Sequence, residues 1–153
     1  MQLSSCYLFQ GLSEYQINQL INIGSEAPIQ KDQWLYREGE DTQQIFVLQE
    51  GAVELLTTVD AIELPITILR STGDCFGTSA LVEPYTYSLS ARAVEDGSVL
   101  AFKRVDLELL KKQDHEFGCI IQANLAKHFL ERLKETRQEL KIHFKTIFKS
   151  MHH

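Results

Sequence analysis

No histidine occurs before His115: all five, namely His115, His128, His143, His152 and His153, lie in the last part of the chain. That placement argues against the metal enzymes built on β-barrels, whose centres take several His and a carboxylate from barrel strands. His115 and Cys119 stand one helical turn apart, but two ligands do not make a site, and no metal is expected. Cysteine is equally sparse. Cys6, Cys75 and Cys119 are odd in number and widely spaced, with no C-x-x-C pair, which points to a reducing, cytoplasmic setting. Cys75 has no histidine in its part of the chain to activate it and reads as a small buried residue. Leu3-Ser-Ser-Cys6 imitates a lipoprotein cleavage box, but no basic or apolar leader precedes it. There is no Walker lysine, no G-x-G-x-x-G turn, and no apolar run near the roughly 18 residues that span a bilayer. Catalytic residues and a membrane partner are therefore not expected.

What is present is an ordinary globular composition, 44% hydrophobic and 24% charged over 153 residues, enough for one domain with a real core. The formal charge of −6 argues against direct nucleic-acid binding, which depends on Lys and Arg neutralising phosphates. Charge is unevenly placed, however. Lys127–Lys149 holds seven Lys/Arg against three Glu, an excess of four positive charges that leaves about −10 on the remainder. A solvated basic helix face is one reading of that run, and a site for an acidic partner protein is the other.

In chain order, Ser13 caps a helix with Gln16 three residues on, and Leu12, Ile17, Leu20 and Ile21 fall on one face; Gly24 and Pro28 end it. From about Ile29 to Phe102 short strands are expected at 34–37, 44–49, 53–59, 64–70, 87–94 and 99–102, punctuated by turns such as Glu50-Gly51 and Asp96-Gly97. Helices return at 105–112 and from Asp114 onward. This pattern predicts a mainly β fold, a sandwich, barrel or jelly roll, with an N-terminal helix and a long C-terminal helix. The organisation expected is a β-barrel segment with its N-terminal helix over 1–113 and the long helix of the same domain over 114–153. Phe117, Ile121 and Leu125 are expected to pack on the β-core. Beyond them Ala126, Leu130, Leu133, Arg137, Leu140, Phe144, Ile147 and Met151 follow a heptad spacing. Their simplest partner is the same helix of a second copy, in a parallel homodimer.

The segment that organises the rest is Gly73–Ala93. Two glycines bracket Phe76, the small residues Thr78-Ser79-Ala80-Leu81 form one helical turn, Pro84 stops it, and a strand follows. Backbone N–H groups beside Gly77 at such a turn suit an anion.

These residues carry a resemblance. Leu8-Phe9-x-Gly11-Leu12-Ser13, Tyr36-Arg-Glu-Gly39-Glu40, Phe46-Val47-Leu48-x-x-Gly51-x-Val53 and Gly73-Asp74-x-Phe76-Gly77 together resemble the cyclic nucleotide-binding domain of the catabolite activator/FNR regulators and of protein kinase A regulatory subunits. The resemblance implies an eight-stranded jelly-roll (double-stranded β-helix) barrel with no catalysis. It also implies a phosphate-binding cassette in which a Glu takes the ribose hydroxyl and an Arg pairs with the cyclic phosphate. By this resemblance the ligand-binding positions are Phe76, Gly77, Thr78, Ser79, Ala80, Leu81, Tyr87 and Ser88; the dimer helix, read from the heptad spacing, is Leu130, Leu133, Leu140, Phe144 and Ile147. The two polar anchors differ: Thr78 stands at the Glu position and Tyr87 at the Arg position. Exchanging charge-assisted bonds for neutral ones weakens a cyclic mononucleotide by roughly 2–4 kcal/mol, about thirty- to a thousandfold. Arg92 is no substitute, because strand alternation turns it away from a pocket that Tyr87 faces. Two readings follow: a sensor for cAMP, cGMP or another nucleotide-like anion, or a degenerate, ligand-free interaction module of the same fold.

Overall fold

The computed structural model describes residues 3–152; Met1, Gln2 and His153, at the outer limits of the two expected segments, lie outside them. Two single-turn 3-10 helices, Leu3–Ser5 and Tyr7–Phe9, lead into α1 (Glu14–Ile23). The expected cap is present in both directions: Gln16 N donates to Ser13 Oγ at 3.2 Å and Ser13 N donates to Gln16 Oε1 at 2.8 Å. Leu20 is buried, with Leu12 and Ile17 packed beside it. Ile21, expected on the same face, is 54% exposed. The fourth buried place of the stripe goes instead to Gln16, which is needed at a helix junction described below.

The chain then forms one antiparallel sheet from β1 (Gly24–Ile29), β2 (Trp34–Tyr36), β3 (Gln44–Val59), β4 (Ile62–Leu69), β5 (Cys75–Phe76) and β6 (Ser90–Lys103). Its order is β1-β6-β3-β4, with β2 added to β6 and β5 added to β3. Strand β1 is not anticipated by the sequence pattern, since Pro28 lies in it. It runs at the end of the sheet order, where a missing N–H need not break a ladder.

Two expected turns are not turns. Glu50-Gly51 and Asp96-Gly97 lie inside β3 and β6, strands of 16 and 14 residues, and the register between them slips repeatedly from Leu48 to Val53. A Cβ on Gly97 would stand 2.0 Å from the Glu50 carbonyl oxygen, and Gly51 takes φ +95°. With no side chain at either place, the two strands meet closely and bend through bulges without breaking. The fold is a jelly roll of six strands, where the resemblance implies eight, because β3 and β6 each run on through the bend as one long strand.

The barrel interior is filled by Ile29, Tyr36, Phe46, Leu48, Val53, Phe76, Tyr87, Ala91, Ala93 and Val99. A second cluster joins the barrel to the helices through Leu8, Phe9, Leu20, Ile45, Val47, Ala80, Phe102, Leu107, Phe117, Ile121 and Leu125. Full burial of each large aliphatic or aromatic side chain contributes about 1.5–3 kcal/mol.

Helix α2 (Arg104–Gln113) is followed after one residue by α3 (His115–Met151). Asp114 makes the break: its Oδ1 accepts from Phe117 N at 3.1 Å and its Oδ2 accepts from Gln16 Nε2 at 3.0 Å. Gln16 therefore caps α1 and braces the cap of α3 with one side chain. Phe117, Ile121 and Leu125 are buried as expected, whereas from Phe129 every described residue of α3 is exposed. At 37 residues the helix is about 55 Å long, so much of it projects beyond the barrel. Among the described residues no helix is long and apolar enough to cross a membrane.

Candidate functional site

Strand β5 delivers Phe76 to the barrel interior and ends at Gly77, whose left-handed φ of +77° turns the chain into a 3-10 helix, Thr78–Leu81. A Cβ at Gly77 would lie 3.2 Å from the Gln44 carbonyl and 3.4 Å from both the Tyr36 and Tyr87 rings. This is the one-turn helix expected after the glycine pair. Across from it, the segment before β6 brings in Tyr87 and Ser88. Ser79 Oγ and Ser88 Oγ are 3.1 Å apart, a hydrogen bond that ties the two lips together.

A cavity of about 420 Å³ lies between these lips, the β3–β4 ladder, the N-terminal 3-10 segment and α3. Six of the eight expected ligand positions line it: Phe76, Gly77, Thr78, Ser79, Tyr87 and Ser88. Ala80 and Leu81 do not; they are 0% and 7% exposed and belong to the core beneath the helices. The first two residues of the 3-10 helix, Thr78 and Ser79, face the cavity, and the last two are claimed by core packing.

Tyr87, one of the expected ligand positions, is 5% exposed. Its ring stacks on Tyr36 with centroids 3.7 Å apart and planes 12° apart. Its hydroxyl donates to the Gln44 carbonyl at 2.8 Å and accepts from Gln44 N at 3.2 Å and Gln43 N at 3.3 Å. The phenol is thus spent on the barrel wall. Tyr36, Tyr87 and Phe76 make the inner end of the cavity, and Phe46 backs them from the core, stacked on both Tyr36 and Phe76. Burial, with Tyr87 beside it, pushes the Tyr36 phenol well above its ordinary pKa. Arg92 faces elsewhere, as strand alternation requires: it pairs with Glu54 and, at 2.8 Å, with Glu63, and lies over the Trp34 ring.

The outer wall comes from residues that the motif reading did not single out. Ser5 and Tyr7 come from the N-terminal turns, and His128, Phe129 and Arg132 from α3. His128 stacks on Tyr7 at 4.0 Å, and Asn124 Nδ2 donates to the Leu8 and Gln10 carbonyls at 2.9 Å each. Burial, helped by the Arg132 guanidinium, holds His128 below its usual pKa, and it is neutral at pH 7. Its heptad neighbours Leu130 and Leu133 drew attention to the opposite flank of the helix; no local signal marks Ser5 or Tyr7. Nearby, a hydrogen bond from the Cys75 thiol lowers the pKa of Cys6, while the same contact and burial raise that of Cys75.

A jelly roll with a short cassette helix facing a long C-terminal helix across a cavity is the cyclic nucleotide-binding fold. The chain belongs to that family: the cyclic nucleotide-binding domain matches residues 26–114. It is similar to an anaerobic regulatory protein of Bacillus subtilis, 30% identical over 90 residues that cover 58% of this chain and 38% of that protein. It is also similar to a cyclic AMP receptor protein of Thermus thermophilus, 27% identical over 134 residues, 87% of this chain and 60% of that protein. Among solved structures, the catabolite activator protein of Thermus thermophilus superposes with a TM-score of 0.74 at 26% identity, covering 89% of this chain and 62% of that one. The chain thus spans less than two thirds of the length of these relatives.

Proposed function

We propose that this chain is a non-catalytic ligand-sensing module that reports occupancy of its cavity through α3. The observation that supports the reading is the shared wall: His128, Phe129 and Arg132 face the cavity while Leu130 and Leu133, on the same two turns, carry an exposed apolar seam. Anything that fills the cavity touches the barrel and the helix together, and so biases how the helix is held. The seam continues through Leu140, Phe144 and Ile147, each 53–55% exposed, and its partner in this reading is α3 of a second copy. The relatives' names, regulators and a cyclic AMP receptor, agree with a regulatory role in a cytoplasmic protein, exerted on a partner protein or an attached effector domain rather than by this segment on DNA.

Thermal unfolding with and without cAMP, cGMP and other small anions tests the sensor, a rise in melting temperature being the expected result. A second reading, a ligand-free interaction module, is favoured by one observation: Tyr87 fills the arginine position with a ring and hydroxyl already satisfied by Tyr36 and Gln44. No shift with any anion at millimolar concentration, together with a stable complex with an acidic partner protein, would select it.

A further inference from the structure

In a cassette with its Arg and Glu, charge is recognised at the inner, barrel end of the cavity. Here that end is apolar and self-satisfied. Tyr87 and Tyr36 stack, Phe76 lies beside them, and the Tyr87 hydroxyl is bonded to Gln44. No cation lines the cavity from the barrel side among the described residues. The acid that does, Asp74, turns Oδ2 back to accept from Ser71 N at 3.1 Å.

The cation of the cavity is on α3 instead. His128 and Arg132 are four residues apart on one helix face, and both line the mouth. His128 is neutral at pH 7, which leaves the Arg132 guanidinium as the charge. Among the described residues it pairs with Glu135, at 3.3 Å with both side chains about half exposed, an ion pair weak enough to be exchanged for a ligand anion. The guanidinium fork matches a carboxylate in two parallel hydrogen bonds.

We infer that the cavity takes an organic anion with a flat apolar or aromatic body and a carboxylate. The body lies on the Tyr36–Tyr87–Phe76 floor and the carboxylate on Arg132, the reverse of a cyclic nucleotide held by its phosphate on the cassette. This rests on the sensor reading above and specifies its ligand class. A volume of about 420 Å³ suits such a molecule. Because the charged end bonds to α3 and the apolar end to the barrel, the ligand itself would be the tie between them.

The test is calorimetric titration of the whole chain with phenylacetate, 4-hydroxyphenylacetate, the neutral phenylacetamide and cAMP, in wild type and in Arg132→Gln. Arg132 is about half exposed, so the variant should fold, and an unchanged melting temperature without ligand checks this. The expected result is that an arylacetate binds the wild type and loses roughly ten- to a hundredfold in Arg132→Gln, while phenylacetamide binds both proteins alike. If an arylacetate binds both proteins equally, or cAMP binds more tightly than the arylacetates and ignores the substitution, the inference is overturned while the sensor reading stands. If none of the four binds at millimolar concentration, the inference is overturned and the ligand-free reading gains.

Discussion

Tyr87 stands where the resemblance implies an Arg. A single ring supplies packing for Tyr36 and a hydroxyl for the Gln44 backbone, so it serves the barrel wall. Supplying the charges again should reverse the balance: Thr78→Glu with Tyr87→Arg is expected to raise cAMP affinity by about thirty- to a thousandfold and to cost about 1–3 kcal/mol of stability through the lost stack and hydrogen bond. Titration with cAMP beside a denaturant melt measures both. His128 offers a second residue-scale check. Its folded pKa lies below the ordinary 6.5, so the native state binds fewer protons than the unfolded chain. Stability is unaffected by this ring above about pH 6.5 and declines as the pH falls from there through the lower folded pKa. An NMR titration of the His128 ring should find a midpoint below 6.5, and Arg132→Gln should move it upward. Cysteine reactivity follows from the same burial: Cys119 is exposed, Cys6 is fully buried and the Cys75 thiol is held protonated. Iodoacetamide at neutral pH is expected to modify Cys119 first, and Cys6 and Cys75 only after unfolding, as peptide mass mapping would show.

Among the elements, β3 and β6 show where local reading stops. Gly51 and Gly97 carry the composition of turns, and a window of a few residues has no means to tell a turn from a bulge. The distinction is made by the opposite strand, since Gly97 sits where the Glu50 carbonyl leaves no room for a Cβ. Gly97→Ala should therefore force the strands apart and cost about 1–3 kcal/mol or more, readable as a lower denaturant midpoint. Helix α3 is the opposite case. Its heptad spacing and its division into a buried first part and an exposed second part are both legible in the residues, because periodicity is local. Leu133→Asp or Leu140→Asp touches only exposed seam positions and should leave the melting of the barrel unchanged while converting the proposed dimer to monomer in light scattering; a variant that keeps its size would refute the seam.

For the whole molecule, the arrangement that matters is how three remote segments share one cavity. The N-terminal segment is joined to α3 by Asn124 on the Leu8 and Gln10 carbonyls, by His128 on Tyr7, and by Gln16 on Asp114, and the cassette meets α3 where Gln122 Nε2 donates to the Leu81 carbonyl at 3.5 Å. A ligand in the cavity adds to this clamp, so hydrogen exchange is expected to slow along α3 near His128–Arg132 when the site is filled, with no slowing at the far end of an isolated helix.

The sequence by itself determined the family, the mainly β jelly roll between its helices, and the one-turn helix after Gly77. Each of these depends on the order and spacing of residues near one another in the chain. Only the tertiary structure decided that Ala80 and Leu81 face the core, that Tyr87 is engaged by Tyr36 and Gln44, and that Arg132 lines the cavity. Those facts depend on which surfaces meet across 40 or more residues of chain, and side-chain direction at such a meeting is set by packing, which no local pattern contains.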